Sequence, residues 1–160
     1  MPALRRLTQD DLPQLRRFWI EHWGGEDMIA RGRVYRPEQL EGFVIEDESR
    51  TAWIGLLTFF IEDGECEVTS LDSLREGQGI GSMLIDKALE EARARNCKRL
   101  FLITTNDNLN ALGFYQKRGF RIVAVYPGAV NESRKIKPGI PLVGMNGIPL
   151  RDEIELEINL

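Results

Sequence analysis

Three glycines fall within residues 75–84, REGQGIGSML: Gly77, Gly79 and Gly81. Glycine costs conformational entropy, so a cluster marks backbone that must pass where side chains would block it. A strand pattern precedes these glycines and an amphipathic helix follows them. A glycine-rich turn at a helix N-terminus gathers free backbone N–H groups at the positive end of the helix dipole, which is the chemistry of an anion site. The nucleotide P-loop needs G-x-x-x-x-G-K-[ST], and no lysine follows Gly81. The dinucleotide fingerprint G-x-G-x-x-G fails as well, because its third glycine falls at Ser82 counted from Gly77 and at Leu84 counted from Gly79. The preceding strand also closes an Asp63-Gly64 hairpin rather than a parallel unit. A turn with no ligand is the bland alternative.

Other residues could do acid–base chemistry. Glu65 and Glu67 alternate onto one face of the strand before the glycines, where a solvated face is an equal reading. Asp72 lies near the end of that strand and serves as a base or as a brace for the loop. His22 is the only histidine, with an ordinary pKa suited to proton transfer, although its place at a helix end also suits the dipole. Arg31, Arg33 and Arg134 lie in two irregular stretches and suit the carboxylate of a small acceptor, or solvent. Cys66 and Cys97 make neither a metal-ligand cluster nor a disulfide framework, so no metal is expected.

The elements that must position these groups read as one α/β domain over residues 1–160. Ala3–Leu7 is a strand, and Thr8 caps a helix with Leu12, Leu15, Phe18 and Trp19 at helical spacing, ending at Gly24-Gly25. Residues 26–36 show no period and read as a loop. Strands follow at Gly42–Glu46, Thr51–Glu62 and Glu65–Leu74. A helix runs from about Gly79 to Asn96 with an apolar stripe through Ile80, Leu84, Ile85, Ala88, Leu89 and Ala92. Leu100–Thr104 is a buried strand, and residues 106–108 open a helix that Gly119 stops. Phe120–Tyr126 is a strand, and residues 127–149 read as a long ordered loop. Glu153–Leu160 alternates strictly, with Ile154, Leu156, Ile158 and Leu160 on a buried face and Glu155, Glu157 and Asn159 facing out. Its edge is expected to pair two subunits into a homodimer.

Two blocks resemble the GNAT superfamily of acyl-CoA-dependent N-acyltransferases. The turn Glu76-Gly77-Gln78-Gly79-Ile80-Gly81 resembles its pyrophosphate loop, Arg/Gln-x-x-Gly-x-Gly/Ala, with Gly79 and Gly81 in register. It departs at the first position, where Glu76 stands and Arg75 precedes it. Residues 108–120, NLNALGFYQKRGF, resemble the family's Asn-x-x-Ala-x-x-x-Tyr-x-x-x-Gly-Phe signature through Asn108, Ala111, Tyr115, Gly119 and Phe120. The resemblance implies a GNAT fold: a central twisted, mixed and mostly antiparallel sheet, flanked by helices, with splayed central strands. It implies acetyl-CoA as cosubstrate, held by the backbone of Leu71 and Ser73, by Arg75, by Gln78, Gly79, Ile80, Gly81 and Ser82, and by Asn108 and Ala111. It implies transfer to a primary amine of a small molecule or protein, with Tyr115 as acid to the sulfur and Glu67 as base. His22, Arg31, Arg33 and Arg134 would meet the acceptor. A GNAT-fold module that senses acyl-CoA without turnover is the alternative.

Bulk properties bound the partners. With 160 residues, 42% hydrophobic and 29% charged, the chain reads as a globular domain. A net charge of −4 argues against a nucleic-acid surface. No apolar run reaches the length of a membrane span, and the N-terminus lacks a signal-peptide core, so a cytoplasmic location is expected.

Overall fold

The fold is known from a computed structural model, which describes residues 2–160. The chain divides into two compact units, residues 1–28 with 35–100, and residues 29–34 with 101–160. The class is α/β, as expected.

The first unit holds four antiparallel strands in the order β1 (Ala3–Arg6), β4 (Glu41–Glu46), β5 (Trp53–Glu62) and β6 (Glu65–Ser73). Asp63 and Gly64 turn β5 into β6 with φ of 54° and 73°, the positive values that a two-residue hairpin requires. Helix α1 (Leu12–Trp23) enters through a 3₁₀ turn in which the Thr8 N–H donates to Asp11 across 2.8 Å. Leu15, Phe18 and Trp19 of α1 pack with Val44, Trp53 and Leu56 into a buried cluster. Helix α2 (Ile80–Ala94) buries Ile80, Leu84, Ile85, Ala88 and Ala92. Gly55 admits it: a Cβ there would lie 2.5 Å from Ile80 Cγ2.

The β5–β6 register carries one irregularity that matters for the site. Thr58 pairs with Ser70 and Phe59 with Val68, which leaves Thr69 as an extra residue on β6. The bulge shifts the side-chain alternation by one. Glu67 pairs with Phe60 and Asp72 with Leu56, two β5 residues four apart, so Glu67 and Asp72 point to the same face despite their odd separation. That is the face of Leu56 and α1.

The second unit orders its strands β7 (Arg99–Thr105), β9 (Glu153–Asn159) and β8 (Arg121–Tyr126), with β8 and β9 antiparallel. Helix α3 (Leu109–Lys117) precedes β8 and helix α4 (Ala129–Ile136) follows it.

Four expectations are corrected. Residues 26–36 include a hairpin of β2 (Met28–Ala30) and β3 (Arg33–Tyr35), turned by Arg31 and Gly32 with φ of 53° and 73°. The stretch 127–149 contains α4 and a 3₁₀ turn at Met145–Gly147, and buried Asp107 ties that turn down by accepting the Met145 N–H at 2.8 Å. Strand β9 is no edge, because it lies between β7 and β8; the homodimer expected through its edge loses that basis. Of the residues expected to face out, Glu155 is buried, as is Glu153 at the start of the strand.

Candidate active site

In the first unit the glycine turn has the form of an anion cradle. Gly77 and Gly79 both adopt left-handed backbone, with φ of 73° and 70°, which side chains disfavour. A Cβ at either would meet no protein atom within 4 Å, so internal packing does not demand glycine there. Gly79 is the N-cap of α2, and the first helical hydrogen bond runs from the Met83 N–H to its carbonyl. The N–H groups of Ile80 and Gly81 therefore have no partner inside the helix. Converging donors, a fifteen-residue helix dipole and a backbone clear of side chains suit a pyrophosphate. Arg75, offered by the sequence as a phosphate partner, donates to both carboxylate oxygens of Glu48, at 3.0 and 3.2 Å.

Strand β6 leads into this turn. Leu71 and Ser73 point away from the α1 face, opposite to Asp72. On the α1 face Glu67 is buried and accepts the hydroxyl of buried Tyr35 at 2.5 Å. Ser70 meets Thr58, oxygen to oxygen, at 2.6 Å. Further along, Asp72 receives the indole N–H of Trp23, at 3.1 and 3.2 Å from its two oxygens. Burial pushes the Asp72 carboxyl up to about 6, against the pull of the Trp23 N–H and of His22. His22 itself packs against Phe18, the two rings tilted by 41° with centroids 4.2 Å apart. The sequence missed Tyr35 and Trp23 as partners of these carboxylates. Glu65, the third acid of the strand, is paired with Arg99 at 2.5 Å.

In the second unit Asn108 caps α3, its side-chain oxygen accepting the Ala111 N–H at 3.2 Å. Tyr115 is buried with its ring edge-on to Phe114 and Phe120, each at 5.3 Å. Arg31 and Arg134, expected to grip an acceptor carboxylate, are engaged otherwise. Arg31 donates its backbone N–H to Glu153 at 3.0 Å and lays its guanidinium 3.5 Å from the Tyr126 ring centroid. Arg134 donates to the carbonyls of Ile140, Pro141 and Leu150 and to Asn131, so its fork holds the 137–150 segment together. Arg33 is exposed. Cys66 and Cys97 are buried free thiols, and burial pushes Cys66 up to about 12.

The acetyltransferase (GNAT) family model matches residues 3–120, from β1 through the glycine turn to the end of the Tyr115 block. The chain belongs to the GNAT acetyltransferase family. Acetyl-CoA-dependent acetylation is that family's chemistry, and acetyl-CoA is its cosubstrate. Among relatives, this GNAT chain is 46% identical over 137 residues to uncharacterized protein YdhI of Bacillus subtilis, covering 86% of this chain and 85% of that one. The IAA acetyltransferase of Bacillus cereus superimposes with a TM-score of 0.73 at 20% identity over the full length of both chains. A GNAT family acetyltransferase from Elizabethkingia anophelis, solved with acetyl-CoA bound, gives 0.70 at 22% identity, covering 99% of this chain and 98% of that one. These likenesses establish the GNAT fold. Among the described residues no helix is long and apolar enough to cross a membrane.

Proposed function

We propose that this protein transfers the acetyl group of acetyl-CoA to a primary amine of a small molecule or protein. The observation that carries the reading is the left-handed Gly77–Gly79 turn capping α2, which leaves the N–H groups of Ile80 and Gly81 without helical partners, with Ser82 next in the same turn. In this reading those amides and Gln78 hold the pyrophosphate. The backbone of Leu71 and Ser73 pairs with pantetheine as an added strand would. Arg75, Asn108 and Ala111 complete the cofactor contacts, Arg75 by exchanging Glu48 for phosphate.

The acceptor attacks the thioester carbonyl as a neutral amine, a C–N bond forms, and the C–S bond breaks with the electron pair leaving on sulfur. Tyr115 donates a hydrogen bond or a proton to that thiolate, for which a phenol neutral at pH 7 is suited. Glu67 takes the proton from nitrogen, oriented by the Tyr35 hydroxyl. His22 and Arg33 are the remaining acceptor contacts.

Calorimetric titration with acetyl-CoA, CoA, dephospho-CoA and NAD, followed by thiol release over an amine panel, tests the reading. Micromolar acetyl-CoA affinity without NAD binding, and acceptor-dependent thiol release, is the expected result. Binding without release across a broad panel would instead make the chain an acyl-CoA sensor.

A further inference from the structure

Carboxylates around the first unit are neutralised by arginines: Asp11 by Arg5, Glu38 by Arg16, Glu41 by Arg95, Glu48 by Arg75 and Glu65 by Arg99. Asp72 is not. It sits half-buried on the strand that enters the glycine turn, and among the described residues its hydrogen-bond donor is the neutral indole of Trp23. One N–H shared between two oxygens leaves most of a carboxylate's accepting capacity unused. Trp23 is 42% exposed, so an apolar π surface accompanies the charge. A carboxylate beside an exposed indole is the chemistry that recognises an alkylammonium: charge-assisted hydrogen bonds to the head, and ring contact for the cation and its methylenes.

The acceptor's character follows from what is spent and what is spare. Arg31 and Arg134, two of the three arginines that would favour a carboxylate-bearing acceptor, already have partners. On the α1 face of β6 the spare charge is negative. It is also displaced from Glu67: the β5 partners of the two acids are four residues apart, roughly 13 Å of strand along one face. An ammonium at Asp72 is therefore a different group from the amine that loses its proton to Glu67.

We propose that Asp72 and Trp23 bind a second, non-reacting ammonium group of the acceptor, so that the substrate is an aliphatic diamine or longer polycation rather than an amino acid. The proposal rests on the acetyltransferase reading and names the substrate class of the same site. His22, on α1, is the titratable group that acts on Asp72. With the Asp72 carboxyl near 6, ammonium recognition is present at pH 8 and fades below about 6.

The test compares octane-1,8-diamine with octylamine, in turnover and by quenching of Trp23 emission with CoA present, the signal being assigned with Trp23→Phe. In the unsubstituted protein the diamine is expected to show a KM about tenfold below that of octylamine. In Asp72→Asn that ratio collapses to about one through KM, with kcat and acetyl-CoA affinity retained. Equal KM values in the unsubstituted protein, or a preference that survives in Asp72→Asn, overturns the proposal. So does loss of acetyl-CoA binding in that variant, which would make Asp72 a brace for the turn. Saturable diamine quenching that Asp72→Asn abolishes, without turnover of any amine, upholds the site and defeats the acetyltransferase reading. Turnover of monoamines with no diamine preference does the reverse.

Discussion

The hydroxyl of Tyr35 donates to the carboxylate of Glu67 across 2.5 Å, and both residues are buried. Hydrogen bonds to charged groups contribute more than neutral ones, and a buried acceptor losing its donor bears a desolvation penalty. Tyr35→Phe is therefore expected to lower stability by about 1–3 kcal/mol, read as a fall in the urea midpoint with unchanged slope. If Glu67 takes the acceptor's proton, the same variant also distorts the pH–rate profile; a profile identical to the unsubstituted protein's would remove Glu67 from proton transfer.

Tyr115 separates binding from chemistry. Its ring packs against Phe114 and Phe120, contacts that phenylalanine preserves. Tyr115→Phe should bind acetyl-CoA normally by calorimetry while kcat falls by roughly 10²-fold or more, the usual scale for a lost general acid. Unchanged kcat would exclude the phenol from the mechanism.

Gly79 tests the cradle. Alanine there would be strained by about 1 kcal/mol at a φ of 70°, yet its Cβ would touch no protein atom within 4 Å. Gly79→Ala is expected to stay folded, with a small fall in melting temperature, and to lose acetyl-CoA affinity out of proportion to that fall. Affinity reduced no further than stability would show that the turn does not hold the cofactor.

Asp72 makes stability depend on pH in an unusual direction for a carboxylate. Its folded-state value of about 6 lies above the ordinary aspartate value, so the folded chain keeps a proton that the unfolded chain has released. The stabilising contribution is complete below about pH 4 and is lost as pH rises through about 6. Asp72→Asn removes that loss while its amide oxygen still accepts from Trp23. Urea unfolding should find the variant gaining on the unsubstituted protein between pH 4 and 6, then holding a constant advantage of at most about 2–3 kcal/mol, less where water reaches the carboxyl. A gap that does not change with pH would show that Asp72 titrates normally.

Gly144 anchors the segment after α4. A Cβ there would lie 2.0 Å from Asp107 Oδ2, the oxygen that accepts the Met145 N–H. Gly144→Ala should expose the bonds between residues 137 and 150 to limited proteolysis before the rest of the chain. Cleavage at the unsubstituted rate would mean that the clash is relieved cheaply.

What could be read from the sequence was local. The stripe on α2, the Asp63-Gly64 turn and the glycines at the head of α2 are encoded within a few residues of where they act, and the structure has them where expected. One misreading depended on distant partners, the others on short or punctuated patterns. Glu153 and Glu155 alternate like a solvated face, but Arg31, more than a hundred positions away, donates to one and lies 3.9 Å from the other. Helix α4 is flanked by Gly128 and Pro138, punctuation that outweighed its short apolar pattern. Arg31-Gly32 was a turn signal, but three-residue strands offer too little alternation around it to be seen. Within the candidate site the anion turn was legible and the acid-bearing face was not, since nothing in ECEVTSLDS marks Thr69 as the residue that falls out of register.

That one unpaired threonine sets the phase of everything between it and the glycine turn. Parity alone would send Asp72 to the α2 side and bring Leu71 and Ser73 round to α1. Closing the bulge with Thr69 retained, so that the strand beyond it slips by one residue against β5, would exchange the two sets at once without changing the strand's composition. Such a slip should abolish any diamine preference without altering a residue that contacts the amine, whereas deleting Thr69 itself would only remove the bulge and keep Asp72 opposite Leu56. On this scaffold, acceptor preference is open to change by slippage of the backbone as well as by substitution, a route that comparison of aligned side chains would not reveal.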